Sequence, residues 1–103
     1  MSNKIEKDGQ VSWIVSRMLI ARDRASGEQL NLIIKIGTPY WVNENVEAAC
    51  PIIIDGLYGR LPDIHGIDPF HALKTAILLV ERLLEGALDK YDLYWPDGEL
   101  FEM

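Results

Sequence analysis

One stretch of the chain limits its fold more than any other. Residues 65–86, HGIDPFHALKTAILLVERLLEG, spell a long helix with a start, a period and a stop. Asp68 suits the N-cap, because its carboxylate can accept from the exposed amides of a first turn. Pro69 suits the first helical position, where its missing N–H costs nothing. Gly86 is the expected stop, although the apolar pattern runs on to Leu88. At about 100° per residue, Phe70, Leu73, Ile77, Val80, Leu84 and Leu88 fall on one side, flanked by Ala76, Leu83 and Ala87. Each large member buried contributes roughly 1.5–3 kcal/mol. A helix with one apolar side must lie on another layer, so the rest of the chain has to supply that layer.

It supplies strands. Residues 11–22, VSWIVSRMLIAR, are rich in β-branched and aromatic side chains. Trp13 and Val15 share one parity and Met18 and Ile20 the other, which predicts a bulge near Ser16 or Arg17. Residues 23–28, DRASGE, are turn chemistry, with Gly27 free to take positive φ. In 29–37, Leu30, Leu32, Ile34 and Ile36 alternate with Gln29, Asn31, Ile33 and Lys35, a strand with one buried face. The two strands form a hairpin. Residues 38–45 read as a loop, limited by Pro39. Residues 46–56 read as a third strand with Cys50, Ile52 and Ile54 inward. Its Pro51 predicts an edge strand or a bulge. Residues 57–67 read as irregular, punctuated by Gly59, Pro62 and Gly66. After the helix, Tyr91, Leu93 and Trp95 alternate. WPDG forms a turn, and Leu100 and Phe101 pair back across it. The order β-β-β-α-β predicts an α+β two-layer sandwich: a mainly antiparallel sheet of four to five strands, covered on one face by one long helix. Residues 1–10 are polar and expected to fray, which leaves 11–103 as a single domain.

The pattern CPIIIDG, an irregular stretch, then GIDPFHAL opening a helix, resembles an uncharacterised family of small bacterial proteins. That family has a Cys-Pro strand, then Gly-Ile/Val-Asp, two variable residues and Gln-Ala-Leu at a helix start, usually followed by a Trp-containing strand. Cys50, Pro51, Gly66, Ile67, Asp68, Ala72, Leu73 and Trp95 match it, within residues 46–101. His71 stands where the family usually has Gln. The resemblance implies a fold and a bacterial origin, and it carries no activity.

Four side chains in DIHGIDPFH are of metal-ligating type: Asp63, His65, Asp68 and His71. Oxygen and imidazole ligands suit zinc, manganese or iron. A metal-dependent or hydrolytic enzyme centred on His65, Asp68 and His71 is the alternative this run raises. Capping already accounts for Asp68, and the neutral amide that the family resemblance places at position 71 weighs against a role for His71 in chemistry. The expectation is no metal and no cofactor. Cys50 with His65 or His71 is the only thiol–imidazole combination. Its apolar neighbours make Cys50 a buried small hydrophobe instead.

Charge narrows the partners. The net charge is −6, with +2 over residues 1–43 and −8 over residues 44–103. An acidic half repels phosphate backbones, so nucleic acid is not expected. No apolar run approaches the roughly 20 residues of a membrane span, and no leader is visible in 1–10. One cysteine suits a reducing compartment. The reading is a cytoplasmic, non-enzymatic protein-binding domain, in its most concrete form an immunity-type inhibitor of a basic partner. A structural homodimer is the further alternative.

Two surfaces are candidates for contact. Tyr40 and Trp41 form the first, expected on an exposed loop. The second is the outer side of the helix. With Phe70 at 0°, the core side spans about 220° to 360°, which leaves Leu78 near 80° and Leu79 near 180° outside it. Leu78 lies among His71, Arg82, Lys74 and Glu85, an apolar anchor with a polar rim. Leu78, His71 and Arg82 are therefore the expected partner-binding or self-association residues.

Overall fold

A computed structural model describes residues 11–103; the expected frayed segment 1–10 lies outside them. The chain runs β1 (Trp13–Asp23), β2 (Gln29–Gly37), β3 (Tyr40–Asn43), β4 (Glu47–Cys50), β5 (Ile52–Asp55), β6 (Gly59–Arg60), β7 (Ile64–Gly66), α1 (Pro69–Ala87) and β8 (Tyr91–Tyr94). The pairings are antiparallel. The α+β class is as expected, and so is a mainly antiparallel five-stranded sheet, in the order β6-β5-β2-β1-β8. Two features depart from the expectation. A second sheet, β3-β4-β7, is present, and among the described residues seven strands rather than three precede the helix.

The β1–β2 hairpin forms as its alternation requires. Leu32, Ile34 and Ile36 are buried, opposite Leu19, Arg17 and Val15. The Asp23 carboxylate accepts from the amides of Ala25 and Ser26, and Gly27 takes φ +79°. The bulge sits at Ile14, between Trp13 and Val15, and not at Ser16 or Arg17. Beyond it, Leu19 and Ala21 face the core while Met18 and Ile20 occupy the outer face.

The predicted third strand is two strands in two sheets. β4 pairs with β3 and β7; β5 pairs with β2 and β6. Pro51 joins them, buried at the corner, so it marks neither an edge nor a bulge. Having no N–H, it leaves no ladder donor unpaired where the chain changes sheet. β2 and β3 make the same passage alongside. There Gly37 donates to the Pro51 carbonyl at 2.9 Å. A Cβ on Gly37 would stand 2.8 Å from Val11 Cγ1 and 3.1 Å from Pro51 Cγ, so the corner closes on a glycine. Residues 40–43, read as loop, form β3, and the stretch 57–67, read as irregular, holds β6 and β7.

The helix starts as expected. Asp68 is extended (φ −154°, ψ 172°) and its carboxylate accepts the His71 amide at 2.7 Å, with Pro69 in the first turn. It runs past Gly86 to Ala87, and Leu88 caps it in helical geometry. The buried side of α1 is rotated from the expected one. Ala72, Ala76, Val80, Leu84 and Ala87 are buried, while Phe70 and Ile77 are exposed. Leu79, expected outside the core, packs partly against it. The cause is close approach: a Cβ on Gly66 of β7 would lie 2.6 Å from the Ala72 nitrogen and 2.9 Å from its Cα. Only small residues fit where β7 crosses the helix start, which turns the alanines inward and the larger side chains away. After β8, Gly98 donates to the Trp95 carbonyl in the expected turn, and Leu100 returns to bridge Tyr94. Phe101 completes the core, edge-on to Trp95 at 5.0 Å between ring centres.

Candidate functional site

The run of acidic and histidine side chains from 63 to 71 lies along the small sheet and the start of α1, and every member is engaged by a hydrogen bond or ion pair. Asp63 precedes β7. It receives the Tyr40 hydroxyl and pairs with Arg60 at 2.9 Å. Arg60 also donates to the Leu61 carbonyl at 2.7 Å and lies over the Trp13 ring. His65 pairs through Nδ1 with the Glu47 carboxylate. In the β4–β7 register His65 stands opposite Ala49, two residues from Glu47 on the same face, a diagonal cross-strand pair. Asp68 caps α1. His71 Nδ1 accepts the Ile67 amide at 3.0 Å. The structure brings Asp68 and His71 together as a cap at the helix start, while His65 pairs with Glu47. Among the described residues no three His, Cys, Asp or Glu side chains converge on a position for a metal ion.

Cys50 ends β4 with no accessible surface, and its thiol donates to the Gly37 carbonyl at 3.4 Å. Burial, and then the negative charge of Asp63, pushes the thiol up to about 11. It is a thiol rather than a thiolate at neutral pH, and thiolate is the reactive form. His65 is aligned with Ala49, whose side chain alternates to the face opposite Cys50. Cys50 and His65 therefore point to opposite faces of the small sheet, and the His71 Nδ1 is engaged by the Ile67 amide.

Of the two expected contact surfaces, the aromatic one changes character. Tyr40 is half-buried and tied to Asp63, and Trp41 is on strand β3, not on a loop. Trp41, Val42 and Val46 remain exposed around the β3–β4 turn. The helix surface is larger than the sequence suggests. Phe70 is 78% exposed, Ile67 70%, Leu78 50% and Ile77 42%. Phe70, Leu73, Lys74, Ile77 and Leu78 line one shallow apolar depression. Ile77 also borders a cleft of about 210 Å³ between α1 and the start of the larger sheet, with Val15, Ile34, Ile36 and Val80 as its apolar wall and Arg17 and Glu81 among its polar lining. The Arg17 guanidinium is held 5.3 Å from the ring centres of both Trp95 and Phe101. His71 and Arg82 are exposed beside Leu78 on the helix.

Sequence periodicity missed Phe70 and Ile77 as surface residues because it ranks positions by size and hydrophobicity. The available signal was the spacing of Ala72, Ala76 and Ala87, which marks the side of closest approach. No family model matches this chain, and neither a curated protein nor a solved structure matches it.

Proposed function

We propose that this chain is a non-catalytic protein-binding domain whose contact surface is the exposed side of α1. The observation that carries the reading is the contiguous outward display of Phe70, Ile77 and Leu78, with Ile67 just ahead of the helix. A domain that buries alanines and exposes phenylalanine on one helix leaves apolar area uncovered, and a partner gains by covering it. Charged side chains rim the patch, as at protein interfaces. The balance of −8 over residues 44–103 favours a basic partner and repels nucleic acid. Inhibition of a basic protein is the form of the reading that this charge supports. The cytoplasm suits the unpaired thiol of Cys50. The engaged states of His65, Asp68 and His71, and the buried thiol, support a non-catalytic role.

The test is affinity capture with the wild-type chain beside Phe70→Glu/Leu78→Glu, followed by titration of each captured protein in pure form. The expected result is a partner whose affinity falls at least tenfold for the variant while the thermal midpoint is unchanged. Captured proteins that bind wild type and variant equally would overturn the reading.

A further inference from the structure

The exposed strip of α1 has an order that matches itself. In sequence it runs Phe70, Lys74, Ile77, Leu78, Glu81, Glu85. With Phe70 at 0°, these six lie within an arc from about 340° through 80°. Its centre is some 130° round from the middle of the buried arc of Ala72, Ala76, Val80, Leu84 and Ala87. A second helix laid along the strip therefore lies away from the buried side, with Ile77 and Glu81 bordering the cleft towards the larger sheet. The apolar pair Ile77 and Leu78 is at the middle. One turn before it is the cation Lys74, and one turn after it the anion Glu81, both exposed.

A two-fold axis through the point between Ile77 and Leu78 superposes this order on its own complement. Two antiparallel copies of α1 then bring Ile77 against the partner's Leu78, and Lys74 against the partner's Glu81, each twice. Phe70 falls beside the aliphatic stem of the partner's Glu85. Such a contact is isologous, the same patch serving both copies. Charge supports it as well. The whole chain carries −6, which opposes self-association, yet the six strip residues carry only −1, and the two Lys74–Glu81 contacts leave Glu85 as the one unmatched charge of each copy. The nearly neutral, self-complementary part of an acidic chain coincides with its exposed apolar strip.

We propose that a second copy of this chain occupies the strip, as an antiparallel α1–α1 dimer centred on Ile77 and Leu78. The proposal rests on the reading of the α1 surface as a binding face and names the partner it takes when no other protein is present. A contact limited to one helix strip is at the small end of stable interfaces. The dimer is expected to dissociate in the micromolar range, where an exchange of partners is accessible.

Sedimentation velocity on the purified chain, over a concentration series, tests it. Wild type is expected to show a concentration-dependent monomer–dimer equilibrium. Lys74→Glu and Glu81→Lys are each expected to weaken it at least tenfold, since each places like charges opposite one another twice. Lys74→Glu/Glu81→Lys, which restores opposite charges in the same register, is expected to recover dimerisation to within about threefold. All three variants are judged on proteins with wild-type circular dichroism. A wild-type chain that stays monomeric to several hundred micromolar overturns the dimer, and so does a double variant no better than the singles. If in either case a captured partner still loses tenfold affinity on Phe70→Glu/Leu78→Glu, the dimer fails while the binding surface stands.

Discussion

Replacing Asp68 by Ala removes one acceptor from the start of the longest element, and the structure sets what that should cost. The Asp68 carboxylate holds the His71 amide at 2.7 Å, and the His71 ring in turn holds the Ile67 amide at 3.0 Å. Two donors at the helix entrance are therefore satisfied by two side chains three residues apart. This is a variant of the capping box, with an imidazole nitrogen in the place of the usual Glu or Gln oxygen and the amide it accepts one residue earlier, at Ile67 rather than at the N-cap. Losing an N-cap acceptor costs about 0.5–2 kcal/mol, near 1 for a cap with access to water. For a domain of this size that lowers the thermal midpoint by about 4–8 °C per kcal/mol. Asp68→Asn keeps an oxygen in place and is expected to be nearly silent. His71→Ala is expected to cost about 0.5–1.5 kcal/mol, and His71→Gln, which keeps a side-chain acceptor, a fraction of that. Urea and thermal denaturation of the four variants decide it. If Asp68→Asn destabilises as much as Asp68→Ala, or His71→Gln as much as His71→Ala, side-chain acceptance is not what holds the helix start, and the reading fails.

Three further perturbations are expected to act through named contacts. Cys50 should label slowly with a thiol reagent at pH 8 in the native protein and quickly in denaturant; fast native labelling would contradict its burial. Because its folded pKa is raised from 9.0 to about 11, the unfolded chain ionises first. Stability should therefore fall as the pH rises from about 9 towards 11, and Cys50→Ala should remove that share of the loss in pH-dependent urea titrations. Gly66→Ala should destabilise by about 1–3 kcal/mol through its clash with the Ala72 backbone. By contrast Gly86→Ala, within the helix and with open space around it, should stabilise by about 0.5–1 kcal/mol. Denaturant midpoints that ranked the two glycine variants the other way would refute the packing account of Gly66. Leu78→Asp should leave the thermal midpoint nearly unchanged, since the side chain is half exposed. Unfolding by that substitution would place Leu78 in the core.

The parts legible in the sequence are those decided by near neighbours. The cap at Asp68, the hairpin turn closed by Asp23 and Gly27, and the alternation from Leu30 to Ile36 each depend on residues a few positions apart. The small sheet was not legible. β3, β4 and β7 have four, four and three residues, too short for a period, and β7 finds β4 from 14 positions away or more. Pro51 misled for a specific reason: a missing N–H suits an edge strand and suits equally the point where a strand leaves one sheet for another. Among the candidate ligands, composition showed that Asp63, His65, Asp68 and His71 were present. It did not show that Tyr40, Arg60 and Glu47, from three other segments, would engage two of them.

The rotation of α1 joins fold to function. A helix settles at the angle where its closest neighbour fits, and here that neighbour is the backbone of β7 at Gly66 rather than the broad face of the larger sheet. The alanines at 72 and 76 permit the approach, and Val80 and Leu84 continue the buried line towards Phe101 and Leu93 in one core. Phe70 and Ile77 are displaced outward by the same rotation. Turning the helix back to bury them would drive larger side chains towards Gly66, where even a single added Cβ meets backbone. The exposed strip is thus a packing consequence of a small-residue contact on the opposite side. A rigid helix presenting preset apolar side chains loses little conformational freedom when covered. That is the physical ground for reading it as a binding surface rather than as incidental exposure.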